Sequence, residues 1–229
     1  MARKPSPRKR RTGPRGSVVV IGLGRFGRAL ALELVDEDTE VLGIDESAEV
    51  VQALSGHLTH AVRADSTKED ALRQLGVHEF DRAVVAIGTD LEASILTASL
   101  LISFGIENVW AKAISEAHGR ILTQLGVHHV VYPEHDMGQR VAHLVRGRML
   151  DYIEFEDDFA MVKTNPPADI VGVPLANSAV RTRHGVTVVA VKRPSEGFTY
   201  ATPETVVEAD DTIIVAGRTR ATERFSELQ

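Results

Sequence analysis

The sequence contains no cysteine, and only 5% of its 229 residues are aromatic. Without cysteine there can be no disulfide framework, no thiolate nucleophile and no cysteine-based zinc site, which suits a reducing compartment. No stretch approaches the roughly 18 uninterrupted apolar residues that a membrane-spanning helix needs. The apolar content of 43% is nevertheless ordinary for a packed globular chain. The composition therefore predicts a water-soluble folded protein and excludes a wholly disordered one.

Charge is distributed unevenly along the chain. Residues 1–16 carry seven basic and no acidic side chains, so the formal net charge of −6 divides into a basic start and a remainder of −13. The start is also rich in proline, glycine and serine, and it has too few apolar side chains to bury surface. We interpret residues 1–16 as a disordered basic tail. Such a tail can bind nucleic acid or an anionic membrane face, but a solvated extension is the simpler interpretation.

Six short runs rich in β-branched residues alternate with segments of helical periodicity. Most of the runs are apolar nearly throughout, which is typical of strands covered on both faces of a parallel sheet. Their spacing matches βα units and predicts a Rossmann-like, doubly wound α/β domain over residues 17–147. The predicted strands are 17–22, 40–45, 59–65, 82–88, 108–113 and 129–133.

The connecting segments carry helix-boundary signals. Glycines at 56, 76, 105 and 126 fall where left-handed C-terminal caps belong. Thr67 and Asp70 match an N-terminal capping pair. After Leu150 the pattern changes, with alternation over 151–164, strand-like runs at 186–193 and 212–217, and a short helix candidate at 175–184. These features predict a small α+β domain over residues 148–229, whose size favours self-association.

A glycine motif directly follows the first predicted strand. Gly22, Gly24 and Gly27, with Phe26 opening the helix, fit G-x-G-x-x-G in the context that a dinucleotide-binding loop requires. The glycines permit a tight turn and close backbone approach to a pyrophosphate, and the helix N-terminus attracts the anion. Asp45 ends the second strand, where a carboxylate accepts hydrogen bonds from a ribose diol and repels a 2′-phosphate. The motif predicts a nucleotide site that disfavours NADP.

Arg25 lies between the second and third glycines, where a guanidinium adds bidentate charge beside the phosphates. A ligand with more phosphate charge than a dinucleotide, such as ATP, would explain it. The alternative is an exposed arginine that pairs with a surface acid.

Further candidate ligand contacts follow later strands, at the sheet edge where open α/β folds bind ligands. Lys112, a charge inside the apolar fifth strand, is either a phosphate contact or a surface lysine. For the hydroxyls in this group, helix capping competes with ligand binding. The candidates at this edge are Asp65, Ser66, Thr67, Gly88 and Lys112.

Glu134 follows the sixth strand at the start of a helix. Acidic residues there are stabilised by the helix dipole, and the functional alternative is a divalent cation shared between Glu134 and nucleotide phosphates. The nine histidines show no metal-ligand spacing. No G-x-S-x-G elbow, Walker motif or tyrosine–lysine pair of the short-chain dehydrogenases is present. We therefore assign no catalytic residue, and predict a nucleotide that is bound without being chemically used.

Together these motifs resemble the cytoplasmic regulatory subunits of Ktr/Trk-type potassium transporters, whose domains are called RCK, for regulating conductance of potassium. The resemblance spans residues 17–220. The segment Pro-Glu-His-Asp-Met-Gly separates this family from ordinary Rossmann enzymes. The matching segments are 20–27, 43–45, 64–67, 85–88, 110–113, 133–138 and 181–192.

The resemblance implies a non-enzymatic, two-domain protein at the cytoplasmic face of the cell membrane. It would dimerise and assemble into an octameric ring beneath a membrane-embedded potassium-translocating partner, with no nucleic acid involved. In the family ATP favours the active ring and ADP an inactive one, and NAD(H) binding is reported for relatives.

The resemblance also implies roles for individual residues. Arg25 would contact the terminal phosphate, Asp45 the ribose, and Glu134 a divalent cation such as Mg²⁺. Arg181 matches an arginine that meets cyclic di-AMP in the small domain of many members, although the family's frequent asparagine two residues earlier is Ala179 here.

Two other functions remain as alternatives. One is an NAD-dependent oxidoreductase subunit, which the missing tyrosine–lysine pair disfavours. The other is a nucleotide-sensing nucleic-acid binder that uses the basic tail, which the acidic remainder of the chain disfavours.

Overall fold

A computed structural model describes residues 16–146 and 148–228 of the chain. The described residues divide into two compact units, one ending at Glu134 and the other beginning at His135. The predicted basic tail lies outside the described residues apart from Gly16.

The first unit is built on a six-stranded parallel sheet, as the sequence predicts. Its strand order is β3-β2-β1-β4-β5-β6. β1 pairs with both β2 and β4, so the strand order reverses between β1 and β4, and the carboxyl ends of these two strands open a crevice. The strands are β1 (Val18–Ile21), β2 (Val41–Asp45), β3 (His60–Arg63), β4 (Arg82–Val85), β5 (Asn108–Lys112) and β6 (His129–Val131).

The central strands are buried on both faces because helices cover each side of the sheet. Val19 and Ile21 of β1 pack into one apolar cluster, whereas Val18 and Val20 pack into another on the opposite face. This explains why β1 is apolar at every position instead of alternating. The helices that follow the first five strands are α1 (Arg25–Asp36), α2 (Ala48–Leu54), α3 (Glu69–Gln74), α4 (Leu91–Ser103) and α5 (Glu116–Gln124).

The glycines predicted at helix C-termini are confirmed, but one predicted N-terminal cap is wrong. Backbone φ is positive at all four predicted glycines, between 70° and 89°, a conformation that costs glycine little. The predicted capping pair of Thr67 and Asp70 does not form, because α3 begins at Glu69 and its N-cap residue is Lys68. Thr67 instead hydrogen bonds to Asp65 in the preceding turn.

The second unit contains a five-stranded sheet in the order β10-β9-β11-β8-β7, with antiparallel pairing throughout. Its buried side chains meet α9, where Phe225 is 1% exposed. The exposed three-residue β10 is not predicted, because a strand so short has no apolar pattern. The strands are β7 (Asp151–Phe155), β8 (Phe159–Thr164), β9 (Val186–Lys192), β10 (Phe198–Tyr200) and β11 (Thr212–Arg218), and the helices are α6 (Pro133–Arg146), α7 (Leu175–Ser178), α8 (Val180–His184) and α9 (Thr219–Ser226).

Helix α6 starts in the first unit and continues into the second, because the division falls after its second residue. The boundary predicted from the sequence, at residue 147, lies after this helix. Within the second unit, Arg140 of α6 forms an ion pair with Asp151, and Nδ1 of His143 lies 2.8 Å from Oε1 of Glu223. Among residues 16–146 and 148–228, no helix has the length and hydrophobicity that crossing a bilayer requires.

The predicted helix over 175–184 is broken in two at Ala179. This alanine has φ 52° and ψ 25°, in the left-handed region, which is unfavourable for a residue with a Cβ by about 1–2 kcal/mol. We therefore expect Ala179→Gly to raise the free energy of unfolding of the second unit by about 0.5–1 kcal/mol. Ala176→Gly, at an ordinary helical position of α7, is the control and should lower it. Urea unfolding measures the free energy of unfolding of both variants. A lower value for Ala179→Gly than for the wild type would show that the backbone at Ala179 is not strained.

Candidate functional site

The glycine loop connects β1 to α1 at the crevice. Gly22 has φ 89°, and a Cβ on it would lie 3.0 Å from the backbone nitrogen of Ile87. A Cβ on Gly27 would lie 1.9 Å from the carbonyl oxygen of Gly22. These two glycines are therefore required for packing. Gly24 differs, because a Cβ there would meet no atom within 4 Å, so its backbone faces open space where a ligand could approach.

Asp45, at the end of β2, holds this loop in place. Its carboxylate accepts hydrogen bonds from the backbone N–H of Leu23 at 2.7 Å and of Ser47 at 2.9 Å. The side chain thus ties the turn after β1 to the turn after β2, and it lies at the mouth of the crevice, where it can also accept from a ligand hydroxyl.

The turn after β3 brings three of the predicted residues together. The carboxylate of Asp65 accepts from the backbone N–H and the hydroxyl of Thr67, at 2.9 and 2.6 Å. These bonds, the hydroxyl bond above all, lower the pKa of Asp65 and keep it ionised. Ser66 is buried and its hydroxyl bonds that of Thr97 at 2.8 Å. Neither hydroxyl therefore caps a helix, because that of Thr67 bonds within the turn and that of Ser66 bonds from the turn to α4.

Lys112 forms an ion pair at the end of β5. Its ammonium lies 2.5 Å from Oε1 of Glu134 and 5.8 Å from the centroid of the Phe26 ring. The hydrogen bond from Lys112 is the main cause that lowers the pKa of Glu134, with a weaker contribution from the charge of Arg25. Lys112 is 9% exposed, so it is a buried lysine beside the glycine loop and not a surface one.

Arg25 is exposed at the first position of α1. Among the described residues it makes no hydrogen bond or ion pair, although its charge acts on Glu134. The alternative of a surface ion pair therefore does not occur in the described part of the chain. A free guanidinium next to an open glycine backbone can bind an anion.

These side chains line one cleft of about 630 Å³ at the carboxyl edge of the first sheet, a size typical of small-molecule sites. The cleft brings together all the predicted cofactor residues of the first unit except Gly27, which packs behind the loop. Its predicted lining residues are Gly22, Gly24, Arg25, Phe26, Asp45, Asp65, Ser66, Thr67, Gly88, Lys112 and Glu134.

Other lining residues were not predicted. Leu96 of α4 and Ile114, after β5, are 43% and 48% exposed and give the cleft an apolar wall. Glu92 adds a carboxylate. Asp90, which the sequence does predict at this edge as a ligand contact or a helix cap, caps α4 by accepting from the N–H of Ala93. The sequence signal that could have predicted this wall is that α4 has more apolar residues than its core-facing side can bury, so that Leu96 remains exposed.

Both signs of charge line the cleft, and Glu134 pairs with Lys112 beside the glycine loop. The positive side chains Arg25 and Lys112 lie by the glycine loop, and the carboxylates of Asp45 and Asp65 follow β2 and β3. This arrangement can bind a molecule with an anionic end and a hydroxyl-bearing end. Within the described residues, no group of three or more histidine, aspartate or glutamate side chains is placed to hold a metal ion.

Arg181 belongs to the second unit and does not line this cleft. Its guanidinium Nε donates to the hydroxyl of Thr187 at 3.1 Å. It lines a groove of about 550 Å³ that also includes Ala179, Thr202 and Pro203. Arg181 therefore cannot be assigned to the nucleotide cleft, and marks a second candidate site.

Two domain families match the chain: the TrkA-N domain over residues 18–133 and the TrkA-C domain over residues 159–229. The chain is 35% identical to Ktr system potassium uptake protein C of Bacillus subtilis over 209 residues, covering 91% of this chain and 95% of that protein. It is 34% identical to Ktr system potassium uptake protein A of Vibrio alginolyticus over 199 residues, covering 86% and 90%.

Solved structures share the fold. The RCK domain of GsuK superposes with a TM-score of 0.65 at 17% identity, over 94% of this chain and 48% of that one. The GsuK channel bound to NAD gives a TM-score of 0.63 at 17% identity, over 93% of this chain and 40% of that one. The present chain thus spans about half or less of those chains.

Proposed function

The chain belongs to the family of potassium-uptake proteins that pair a TrkA-N with a TrkA-C domain, and from this premise we propose that it is a nucleotide-sensing regulatory subunit. It binds a nucleotide in the first unit and controls a membrane-embedded potassium-translocating partner. The observation that carries the proposal is the free guanidinium of Arg25 beside the open backbone of Gly24, in a cleft that also holds Lys112.

The proposed ligands are ATP and ADP, with NAD(H) as the alternative. Asp45 would accept from the ribose hydroxyls, and its charge disfavours a 2′-phosphate. Arg25 and Lys112 would face the phosphates, where charge-assisted hydrogen bonds are strong. Leu96 and Ile114 offer an apolar surface to the remainder of the ligand. A contact between Arg25 and the terminal phosphate of ATP would give the triphosphate an interaction that a diphosphate lacks.

A divalent cation such as Mg²⁺ is proposed to accompany the phosphates. The exposed carboxylate of Glu134 is an oxygen ligand of the kind that Mg²⁺ prefers, and it lies in the same cleft. When bound, the cation would offset phosphate charge.

Regulation follows from differential binding. A nucleotide that contacts two forms of the assembly differently shifts their populations, and couplings of about 1–3 kcal/mol are typical. We propose a homodimer that assembles into an octameric ring. An apolar stripe on α6 supports self-association, because Met137, Val141 and Val145, spaced four residues apart, are 53%, 45% and 79% exposed.

The second unit is proposed to take cyclic di-AMP through Arg181, in the groove described above. The basic residues of 1–16 are proposed to contact the inner face of the cell membrane or acidic loops of the partner, at about 1 kcal/mol per basic residue near the surface. We accordingly propose a cytoplasmic protein that is peripherally attached to the membrane and binds no nucleic acid.

An oxidoreductase is less well supported. The described residues that line the cleft include no histidine or tyrosine, the usual proton donors for hydride-transfer chemistry. We therefore propose that the nucleotide is a regulator and not a redox cofactor.

Calorimetric titration of the full chain tests the proposal. We expect binding of ATP and ADP, or of NAD(H), with an affinity for ATP that Mg²⁺ or Ca²⁺ changes. Cyclic di-AMP is titrated in parallel and should bind independently, because its proposed site is in the other unit. If none of these nucleotides binds, the regulatory proposal is wrong.

A further inference from the structure

The ion pair between Lys112 and Glu134 joins the cleft to helix α6. Lys112 is the last residue of β5, and Glu134 is the second residue of α6 and the last residue of the first unit. The helix continues from there into the second unit. Within residues 16–146 and 148–228, the ion pair beside the glycine loop is thus made to this connecting helix.

The side chains of Lys112 and Glu134 differ in how freely they can move. The Lys112 side chain is 11% exposed, whereas that of Glu134 is 64% exposed. The lysine runs past Gly88, where an added Cβ would come within 3.2 Å of the ammonium nitrogen, and the Phe26 ring lies on another side of it. Lys112 is therefore confined, and Glu134 is the partner that can move away into solvent.

A phosphate group in this cleft would compete with Glu134 for the same ammonium. The phosphate carries more charge than one carboxylate, and the backbone N–H groups of the glycine loop would also donate to it. When no divalent cation bridges the two anions, the displaced Glu134 would then be repelled by the phosphate and drawn from the cleft. An uncharged ligand could not displace Glu134 in this way, because the ammonium of Lys112 would be left without an anionic partner.

We propose that Lys112 changes partners when a nucleotide binds without a divalent cation, from Glu134 to a phosphate, and thereby releases the first turn of α6. This inference rests on the proposed nucleotide binding and adds how the cleft signals to the helix. Lys112 would exchange its anionic partner and Glu134 would lose its ion pair. The charge of the ligand would therefore decide whether the first turn of α6 is bonded to β5.

Four proteins test the exchange: the wild type, Glu134→Gln, Lys112→Met and the double variant, each titrated with ADP in EDTA so that no divalent cation contributes. We expect Glu134→Gln to tighten ADP binding about tenfold and Lys112→Met to weaken it at least about tenfold, the range for charged hydrogen bonds. In the Lys112→Met background, Glu134→Gln should change the affinity less than about twofold, because no shared ammonium remains.

The opposite result is equally defined. If Glu134→Gln tightens binding as much without Lys112 as with it, the carboxylate acts only by repelling phosphate through space, and the exchange is wrong. If the wild type does not bind ADP at all, the proposed function fails as well. Glu116→Gln, an exposed glutamate in the first turn of α5, is the matched control and should bind as the wild type does. Lys112→Gln replaces Lys112→Met if the latter fails to fold.

Amide hydrogen exchange tests the release of α6. Residues 137–140 donate to carbonyls of the first turn, so in the wild type ADP should speed their exchange by about threefold, within the range for an ion pair of this exposure. Glu134→Gln should show the faster rate without ADP and no further change with it. Unchanged exchange in the ADP-bound wild type would overturn the proposed release.

Discussion

Gly27→Ala is expected to destabilise the first unit by at least about 3 kcal/mol, a large part of the about 5–15 kcal/mol that stabilises a typical domain. The added Cβ would lie 1.9 Å from the carbonyl oxygen of Gly22 and 3.0 Å from the Cβ of Ala86. Neither neighbour can move aside, since both belong to the backbone-packed junction of α1 with β1 and β4. The protein's single tryptophan, Trp110, lies in β5, so its fluorescence reports unfolding of this unit.

Gly24→Ala is the matched control, because the same chemical change there meets no atom within 4 Å. We expect its unfolding midpoint to stay close to that of the wild type. Its Cβ would instead occupy the space in front of the loop, so nucleotide binding should weaken by at least about tenfold, as for a displaced charged contact. Equal stability of Gly27→Ala and Gly24→Ala would show that close packing is not what requires Gly27.

The second large effect is expected at Arg25. Arg25→Ala should weaken ATP binding by about 10–100-fold, which corresponds to the loss of one charge-assisted contact with phosphate. ADP binding should change much less, so the preference between the two nucleotides should nearly disappear. Folding should be unaffected, because the guanidinium makes no hydrogen bond or ion pair with the described residues. Calorimetry with both nucleotides, together with a thermal melt, provides the measurement.

Two variants separate a local contact from general charge. Arg28→Ala removes the same charge from an exposed position three residues later on α1, outside the cleft lining, and should leave both affinities nearly unchanged. Arg25→Lys should recover part of the ATP affinity, since an ammonium can meet a phosphate but not in a bidentate way. If Arg25→Ala leaves the difference between ATP and ADP intact, the arginine does not sense the terminal phosphate.

The sheet of the first unit was predictable because its signals are local. A strand buried on both faces is apolar at every position, as β1 is, and a left-handed helix end selects glycine, as Gly76 and Gly126 show. The break at Ala179 could not be predicted on the same basis, because alanine gives no sign of a positive φ. Thr67 and Asp70 fit a capping pattern, but the hydroxyl of Thr67 bonds to the carboxylate of Asp65 and α3 begins only at Glu69.

The sequence largely predicted which residues line the cleft, but it did not predict which of their side chains bond to each other. Parallel strands place their carboxyl ends together, so residues that follow β1, β2, β3 and β5 were expected to meet. Which of these side chains would bond to each other depends on distances across the sheet. Lys112 and Glu134 are 22 positions apart in sequence, and no pattern within either segment indicates the pair. The apolar wall at Ile114 was missed for the same reason.

The bonds of Asp45 bear on any attempt to redesign this site. Converting a diol-binding pocket to one for a 2′-phosphorylated dinucleotide ordinarily begins by removing the strand-end acid. Here the same carboxylate also accepts from the N–H groups of Leu23 and Ser47, so its removal would leave two backbone donors without their acceptor. A change of cofactor preference would therefore have to rebuild both turns at once, and the residue that selects the ligand is also the one that keeps the empty pocket in shape.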